Sequence, residues 1–464
     1  MKVERRDDDV LVTPVLLPEH DPEGSFRSVL KNRSFLLLWL AQLLSQVGFN
    51  AANYGIIALV TAVTHSTELV GLAIVSFTLP AVPFCLLAGV YVDYLNKRMV
   101  LWVSNALRAV ATGLMVFALL VNSHAIWPIY LLAFFISLVT QFFTPAEASA
   151  IPLLVGRRDL VSAISLFNIT LTLAQALGFL VLGGLITALV PTFQISLGFT
   201  HIPVVSFDVL FAVVAILYII CTLLILAIPR RALHQELSRK VGLVTVFGKE
   251  TWEMIRLDLL ESWSYIRKDR QLLLALLRVS FISVLLLVVG ELAGPFVVNV
   301  LNQPVGFLPL IFAPAGVGLV LGGVLMPLLT RRFGTNRVIA IGSLSTAAGL
   351  LLIPVGRFVW IHVGLAPAGF LFVIAALMFF VGIALDMVNI PAQTIMQEHA
   401  PEEERGRIFS FQAMLYNAGS IPVLLFAGAI ADILGVETVI ILLASTVLGF
   451  RLWAARYTHS PIVP

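Results

Sequence analysis

The chain has 464 residues, of which 59% are hydrophobic and 12% are charged, and its formal net charge is +3. A soluble domain covers its apolar core with a polar surface, and this chain has too few polar residues to do so. The composition therefore excludes a soluble globular protein and indicates an integral membrane protein.

Residues 1–33 are polar and charged and contain no apolar core followed by a small-residue cleavage site, so we expect a cytosolic tail and no signal peptide. Twelve apolar stretches long enough to cross a bilayer follow, and we number them spans 1 to 12. The predicted spans are 34–62, 68–92, 99–121, 126–145, 160–190, 205–228, 271–301, 306–329, 337–355, 366–391, 406–433 and 436–457. Runs such as LYIICTLLILAI lack the alternation of a membrane β-strand, so the pattern predicts an α-helical bundle.

Basic residues mark one side of the membrane. They precede span 1 and follow spans 2, 4, 6, 8 and 10. The connections after the odd-numbered spans, including the segment 191–204, carry almost none, and Arg357 is the exception. Because Lys and Arg are retained in the cytoplasm, we expect a multi-pass protein of the cell membrane with both termini cytoplasmic. We call the opposite side the outer side.

Two segments half a chain apart resemble each other. PAEASAIPLLVGRRDLVSA at 145–163 follows span 4, and PAQTIMQEHAPEEERGRIFS at 391–410 follows span 10. This repetition predicts an internal duplication into two pseudo-symmetric bundles of six helices, which is typical of transporters. The predicted divisions are the tail 1–33, the bundles 34–228 and 271–457, the linker 229–270 and the tail 458–464.

The linker has apolar residues at helical spacing among charged ones. These are Trp252, Ile255, Leu259, Trp263 and Ile266. The pattern predicts an amphipathic helix on the cytoplasmic surface. A regulatory segment and a simple linker resting on the bundle are both compatible with it.

Polar side chains form stripes on three spans that occupy equivalent positions in the repeats. Such a stripe must face other helices or a water-filled cavity. Spans 1, 4 and 10 contribute the substrate-cavity candidates, which are Gln42, Gln46, Asn50, Asn53, Gln141, Asn389 and Gln393. The alternative is hydrogen bonding between helices without any cavity.

Two acids lie inside predicted spans and away from the span ends. Glu291 in VVGELAGPF is about 11 residues, or ~16 Å, from the outer end of span 7. Asp386 lies nearer the cytoplasmic end of span 10. A carboxyl group in apolar surroundings favours its protonated form, so Glu291 is the first proton-coupling candidate and Asp386 the second. A structural glutamate is the alternative. The neighbouring Gly290, Gly294 and Pro295 predict a bend in span 7.

Arg108 lies some nine residues inside span 3 and needs an acidic partner. Asp93 and Glu147 are near the same membrane face and are the acids expected to satisfy it. The pattern is compatible with a structural ion pair and with a part in a conformational gate.

Several function classes have no motif in this chain. There is no GxxxxGK[ST] loop, HExxH or GxSxG, so we expect neither an ATP-driven pump nor an enzyme. The eight histidines lie in tails, loops or interfaces, so we expect no metal and no cofactor other than a proton gradient as driving force. The basic residues follow the topology rule, which gives no reason to expect a nucleic-acid partner.

GVYVDYLNKR at 89–98 resembles the signature G-x-x-x-D-R-x-G-R-R of the major facilitator superfamily, with Tyr94 and Asn96 as departures. SNALRAV, PAEASAIPLLV and APEEERGRIFS are similar to the bacterial drug-efflux branch that includes macrolide and siderophore exporters. The resemblance implies that helices 1, 4, 7 and 10 line a central cavity. It also implies a gate in which Asp93 meets the start of helix 11. The gate candidates are Gly89, Asp93, Lys97, Arg98, Arg108, Glu147, Arg405 and Arg407.

These features lead to one function hypothesis and two alternatives. The first is proton-coupled efflux of small, partly apolar molecules by alternating access, carried out by a monomer in the bilayer. A lipid or siderophore carrier of the same fold is the second. The third is a membrane sensor or scaffold that does not transport, motivated by Tyr94 and by Phe179, which replaces the proline of the exporters' helix 5 pattern.

Overall fold

The computed structural model describes residues 26–122, 124, 126–156, 159–191, 193–197, 200–233, 263–363, 367–400 and 405–459. Within these ranges, twelve helices are long and apolar enough to cross a membrane. The predicted number of spans and the α-helical membrane fold are confirmed.

The first six spans follow a short helix, Phe26–Lys31. Spans 2 and 5 are each built from more than one helical segment. The bounds are Arg33–Thr64 for span 1, Thr67–Thr78 with Ala81–Tyr94 for span 2, Lys97–Val121 for span 3, Ile126–Leu154 for span 4, Leu160–Ala176 with the π-helix Leu177–Gly183 and Gly184–Leu189 for span 5, and Ser206–Leu226 for span 6.

The last six spans follow a 3-10 turn at Arg230–Leu233, and a second 3-10 turn, Val305–Phe307, precedes span 8. The bounds are Arg270–Pro295 with the π-helix Phe296–Val300 for span 7, Leu308–Phe333 for span 8, Thr335–Val363 for span 9, Pro367–His399 for span 10, Arg405–Leu434 for span 11 and Val436–His459 for span 12.

Polar caps explain where four spans begin. The first amide groups of a helix have no partner within it, and a side-chain oxygen just before the helix can accept from them. The capping residues are Asn32, Ser66, Asn96 and Asp269, at the starts of spans 1, 2, 3 and 7.

The predicted bend in span 7 takes the form of a change in helix type. The α-helix continues to Pro295, and the chain then winds as a π-helix over Phe296–Val300. A proline ring removes one backbone donor and displaces the preceding turn, which favours such a local change of pitch.

The segment 191–204 is more regular than the connection expected from the sequence. It contains an antiparallel hairpin in which β1, Phe193–Leu197, pairs with β2, Thr200–Val204. Phe193 lies opposite Val204, and Ile195 lies opposite Ile202. Alternation of apolar and polar residues in FQISL is the local signal that favours a strand.

Contacts between helices show the two halves and the seam between them. Within the halves, span 3 packs on span 6 and span 9 packs on span 12, which are equivalent pairs in a six-helix repeat. Between the halves, span 2 packs on span 11, and span 5 packs on span 8. These two contacts are equivalent in the repeat, because span 2 corresponds to span 8 and span 5 corresponds to span 11. Span 7 also contacts spans 1 and 2 across the seam.

The end of the linker lies against the second half. Ile266 is fully buried beside Met396 and Ile408, and the ring of Trp263 stacks on that of Phe411 at 5.7 Å. Most of the predicted amphipathic helix, including Trp252, lies outside the described residues. The exact boundaries of the halves, linker and tails remain predictions.

Candidate functional site

Glu291 lies at the seam between the two halves. Its side chain is fully buried, and a methyl group on Gly428 of span 11 would lie only 2.6 Å from its Oε1 atom. A methyl group on Gly71 of span 2 would collide with the same oxygen. Neither carboxyl oxygen has a hydrogen-bond partner among the described residues. Two glycines from opposite halves thus form a narrow slot that holds an acid.

Asp386 occupies a different kind of position. It is 9% exposed, and a methyl group on Gly322 of span 8 would lie 3.0 Å from its Cβ and 3.3 Å from its Oδ2. Its carboxyl group also bonds to the side chain of Asn389, one turn along span 10. All these neighbours belong to the second half, so Asp386 is packed within one half and not between the two.

The polar stripe of span 1 is divided between two environments. Gln42 is buried, whereas Gln46, Asn50 and Asn53 are partly exposed. The Asn50 side chain donates to the carbonyl of Gln46 at 2.8 Å, and a methyl group on Gly178 of span 5 would lie 2.7 Å from Asn50 Cβ. Asn50 therefore lies at a contact between spans 1 and 5.

The stripes of spans 4 and 10 are likewise mixed. Ser137 is buried and donates to the carbonyl of Phe77 at 2.5 Å, a bond that joins span 4 to span 2. Gln141 is partly exposed, with a long 3.5 Å contact to the Ser137 carbonyl. On span 10, the exposed Gln393 donates to Asn389 at 3.2 Å. Some of these polar residues thus join helices, and others are exposed or partly exposed.

The signature between spans 2 and 3 is described in part. Lys97 is buried and donates to the Val92 carbonyl at 3.0 Å. Arg98 donates to the carbonyls of Leu226 and Ile228 at 2.5 and 2.9 Å, and so binds the end of span 6. Both cations therefore satisfy backbone carbonyls of the first half. The structure describes only the backbone at Gly89, Asp93, Arg405 and Arg407, so the gate that these residues would form remains a prediction.

Arg108 and Glu147 belong to a buried polar cluster inside the first half. Arg108 donates to Ser45 Oγ at 2.9 Å, and its guanidinium lies 4.4 Å from the centre of the Phe143 ring and 5.8 Å from that of Tyr218. Glu147 acts on it electrostatically, but the two do not form an ion pair within 4.0 Å among the described residues. The cluster joins spans 1, 3, 4 and 6 and does not reach the seam.

Asp432 is a seam residue that sequence reasoning missed. It lies near the outer end of span 11 and accepts three hydrogen bonds from the start of span 2, given by Ser66, Thr67 and Glu68. The sequence signal is weak, because an acid three residues before a connection reads as an ordinary surface residue.

Comparison with known proteins agrees with this architecture. The Major Facilitator Superfamily profile matches residues 38–422 and 310–462. A curated relative, the uncharacterised MFS-type transporter YkuC of Bacillus subtilis (strain 168), is 26% identical over 151 residues, or 32% of this chain. The match spans only 35% of that relative's own length.

Solved structures of transporters share the fold. The nucleoside transporter NupG superposes with a TM-score of 0.65 at 14% identity, over 92% of this chain and 100% of NupG. A bacterial homologue of the iron transporter ferroportin in an inward-facing state gives 0.65 at 15% identity, over 92% of this chain and 99% of the homologue. At such identities the likeness shows the fold alone. Because the family match runs along most of the chain and the seam pairs span 2 with span 11 and span 5 with span 8, this protein belongs to the Major Facilitator Superfamily.

Proposed function

We propose that this chain is a secondary active transporter that exports small, partly apolar molecules in exchange for protons by alternating access. Membership of a transporter family supports transport in general. The efflux direction, the proton coupling and the substrate class are our proposal. The observation that carries it is the position of Glu291 between Gly71 and Gly428, in contact with both halves.

A proton carrier in an alternating-access cycle must meet different surroundings in the two main states. Glu291 satisfies this requirement, because separation of spans 2 and 11 would open its slot to water. A carboxyl group sealed among apolar side chains favours the neutral form, whereas a hydrated one can ionise. Opening and closing of the seam would therefore release and bind a proton at Glu291.

Asp386 is the weaker candidate on the same criterion. Its neighbours on spans 8 and 10 move together if each half moves as a rigid body. Its surroundings would change little between states. We therefore assign the coupling role to Glu291 and a structural role to Asp386.

The partly exposed side chains of spans 1, 4 and 10 support an uncharged or weakly polar substrate. Gln46, Asn53, Gln141, Asn389 and Gln393 are neutral amides and lie on helices that line the cavity in the resembled family. Amides can donate and accept hydrogen bonds and impose no charge preference on a ligand. A lipid or siderophore carrier is the alternative within the same fold.

The experiment begins with resistance profiling of a drug-hypersensitive host that expresses the chain, which selects a labelled probe. The purified protein is then reconstituted in liposomes for two assays: accumulation of the probe driven by a pH gradient, and exchange of labelled for unlabelled probe without a gradient. The test variant is Glu291→Gln, which mimics the protonated acid. Asp386→Asn is the matched control.

We expect Glu291→Gln to retain exchange and to lose gradient-driven accumulation, while Asp386→Asn keeps both. Unchanged accumulation by Glu291→Gln would remove this residue from the coupling mechanism. A chain that moves no drug but moves a siderophore or a lipid would support the carrier alternative. Failure to move any of the three classes would favour the scaffold.

The orientation is a further part of the proposal. Both termini and the basic loops are placed in the cytoplasm of the cell that makes the protein. Single cysteines at Asn122 and Arg331, which lie at opposite ends of the bundle, test this placement with a membrane-impermeant thiol reagent. Labelling of intact cells at position 122 and not at 331 is expected, and the reverse pattern would overturn it.

A further inference from the structure

Asp432 caps a helix that belongs to the other half of the protein. Its Oδ2 atom accepts from Ser66 Oγ at 2.5 Å and from the Glu68 amide at 3.1 Å, and its Oδ1 atom accepts from the Thr67 amide at 2.6 Å. We call these three bonds the outer cap. Ser66 in turn accepts from the Leu69 amide at 3.3 Å. The first three amide groups of span 2 are therefore all satisfied, two of them by a residue 364 or more positions away in the sequence.

Two physical terms favour the outer cap. Amide groups at a helix start have no partner within the helix, so an oxygen acceptor there is stabilising. The carboxylate also lies at the positive end of the helix dipole of span 2. A neutral acceptor would accept the hydrogen bonds but would not interact with the helix dipole to the same extent. The charge of Asp432 therefore makes its own contribution.

The outer cap lies in a polar recess that opens at the outer end of the seam. The recess has a volume of about 470 Å³ and is lined by residues of both halves, among them His65, Asn299, Arg357 and Asp432. Asp432 is exposed there, so water competes with the bonds it makes. Because Asp432 is in contact with water, the outer cap can break and re-form without leaving an unpaired carboxylate in apolar surroundings.

The same stretch of span 11 carries both the outer cap and the Glu291 slot. Gly428 precedes Asp432 by one helical turn, and a methyl group on Gly428 would contact both Glu291 Oε1 at 2.6 Å and Glu68 Cα at 2.7 Å. On the other side of the seam, a methyl group on Gly184 of span 5 would lie 2.7 Å from Pro309 Cβ of span 8. The contacts of Gly428 with Glu68 and of Gly184 with Pro309 join different halves, so both must separate if the halves part on the outer side.

We propose that Asp432 controls the conformational equilibrium of the transport cycle, because the outer cap stabilises the state that is closed to the outside. The acid that the family resemblance assigns to a gate, Asp93, lies at the cytoplasmic end of span 2 and is expected to meet the start of span 11. The outer cap joins the same two helices with their roles reversed, since an acid at the end of span 11 meets the start of span 2. The contact of Asp93 would thus stabilise one state at the cytoplasmic end of spans 2 and 11, and the outer cap would stabilise the other state at their outer end.

The test measures distances between the halves in the absence of substrate and pH gradient. Spin labels at Val121 and Val363, both exposed at the outer ends of spans 3 and 9, report separation of the outer side. The variants are Asp432→Ala, Asp432→Asn and Ser66→Ala in the full chain. Glu437→Gln is the matched control, because it removes an acid of the same recess whose ion partner, Arg357, belongs to its own half.

We expect Asp432→Ala to raise the ratio of outward-open to outward-closed molecules by about two- to thirtyfold, the range for loss of a helix cap. Asp432→Asn and Ser66→Ala should give smaller increases, and Glu437→Gln should match the unaltered chain. If Asp432→Ala does not fold, the other two variants carry the test. Distributions that stay unchanged in all three, or that change equally in Glu437→Gln, would overturn the proposal.

The inference rests on the proposed function only in assuming that the halves alternate. Because the distances are measured without transport, an effect of Asp432 on them does not require Glu291 to be the residue that couples transport to protons. Loss of coupling in Glu291→Gln with no effect of Asp432 would reject the outer cap alone. The opposite pattern would reject the coupling role of Glu291 alone.

Discussion

Glu291 and Gly428 are in direct contact across two helices, because the glycine leaves room for the carboxyl group and no other residue would. A methyl group in place of the Gly428 hydrogen would lie 2.6 Å from Glu291 Oε1. The contact explains how a buried acid is accommodated in a seam that must also open. It makes the glycines, and not polar partners, the residues that shape the site.

The slot predicts that alanine at Gly428 or Gly71 impairs transport. Each added methyl group would press on the Glu291 carboxyl group and on backbone atoms of the facing helix, which holds the seam apart. Overpacking of this kind costs about 1–3 kcal/mol. Gradient-driven accumulation in liposomes is expected to fall for both variants.

Gly290→Ala is the matched control for the slot. Gly290 is adjacent to Glu291, and a methyl group there would meet nothing within 4 Å. Alanine should be neutral or stabilise the helix by up to about 1 kcal/mol. Equal transport defects in Gly290→Ala and Gly428→Ala would show that the slot has no special part.

Arg108→Met is predicted to destabilise the first half. The guanidinium donates to Ser45, lies over the ring of Phe143 and acts electrostatically on Glu147. Its removal deletes the hydrogen bond to Ser45 and the contact with the Phe143 ring and takes away the cation that acts on the buried Glu147, a loss of about 1–3 kcal/mol. Unfolding of the purified protein in detergent measures the effect.

Two further variants locate the origin of that loss. Arg108→Met combined with Glu147→Gln should be less unstable than Arg108→Met alone, because no uncompensated charge is left. Arg331→Met, at an exposed position at the end of span 8, should have little effect. A double variant that is as unstable as the sum of the single ones would show that Glu147 does not depend on Arg108.

The helices and their order follow from local sequence, whereas the site depends on distant pairs. Twelve apolar runs are visible in the sequence, and the structure confirms the count of spans. The neighbours of Glu291 are not visible, since Gly71 and Gly428 lie far from it in the chain. The hydrogen bond between Ser66 and Asp432 joins residues 366 positions apart, and no local sequence pattern predicts it.

The contrast between the two acids has the same origin. Composition treats Glu291 and Asp386 alike, as carboxyl groups in apolar spans. The packing of span 7 on spans 2 and 11, and of span 10 on span 8, places one at the seam and the other inside a half. Such differences arise from tertiary contacts, and they favour Glu291, the acid that its depth in span 7 already makes the first candidate.

Alanine is predicted to destabilise the protein at Gly318 of span 8 and at Gly382 of span 10. Each glycine packs against the backbone of the other helix. A methyl group on Gly318 would collide with the Phe379 carbonyl, and one on Gly382 with the Ala315 carbonyl. Small residues let membrane helices approach closely, and no lipid-driven force compensates if they are pushed apart. Gly318→Ala and Gly382→Ala should each lower stability by about 1–3 kcal/mol in detergent unfolding.

Gly449→Ala is the control for these two, because nothing lies within 4 Å of a methyl group there. It should unfold no earlier than the unaltered chain. Stability that is the same in all three variants would contradict the close approach of spans 8 and 10.

Removal of the Arg357–Glu437 ion pair is predicted to have little effect. The pair joins the ends of spans 9 and 12 at 2.7 Å, with side chains 29% and 36% exposed. Because water and salt screen exposed pairs, such a pair contributes about 0–1 kcal/mol. The pair gives Arg357, the exception to the topology rule, an acidic partner at that end of the bundle. Glu437→Gln should therefore lower the unfolding temperature only slightly, and less at high salt, while leaving transport intact. A large loss of stability would show that the charges are coupled to the seam, and Glu437→Gln would then no longer serve as a neutral reference for Asp432.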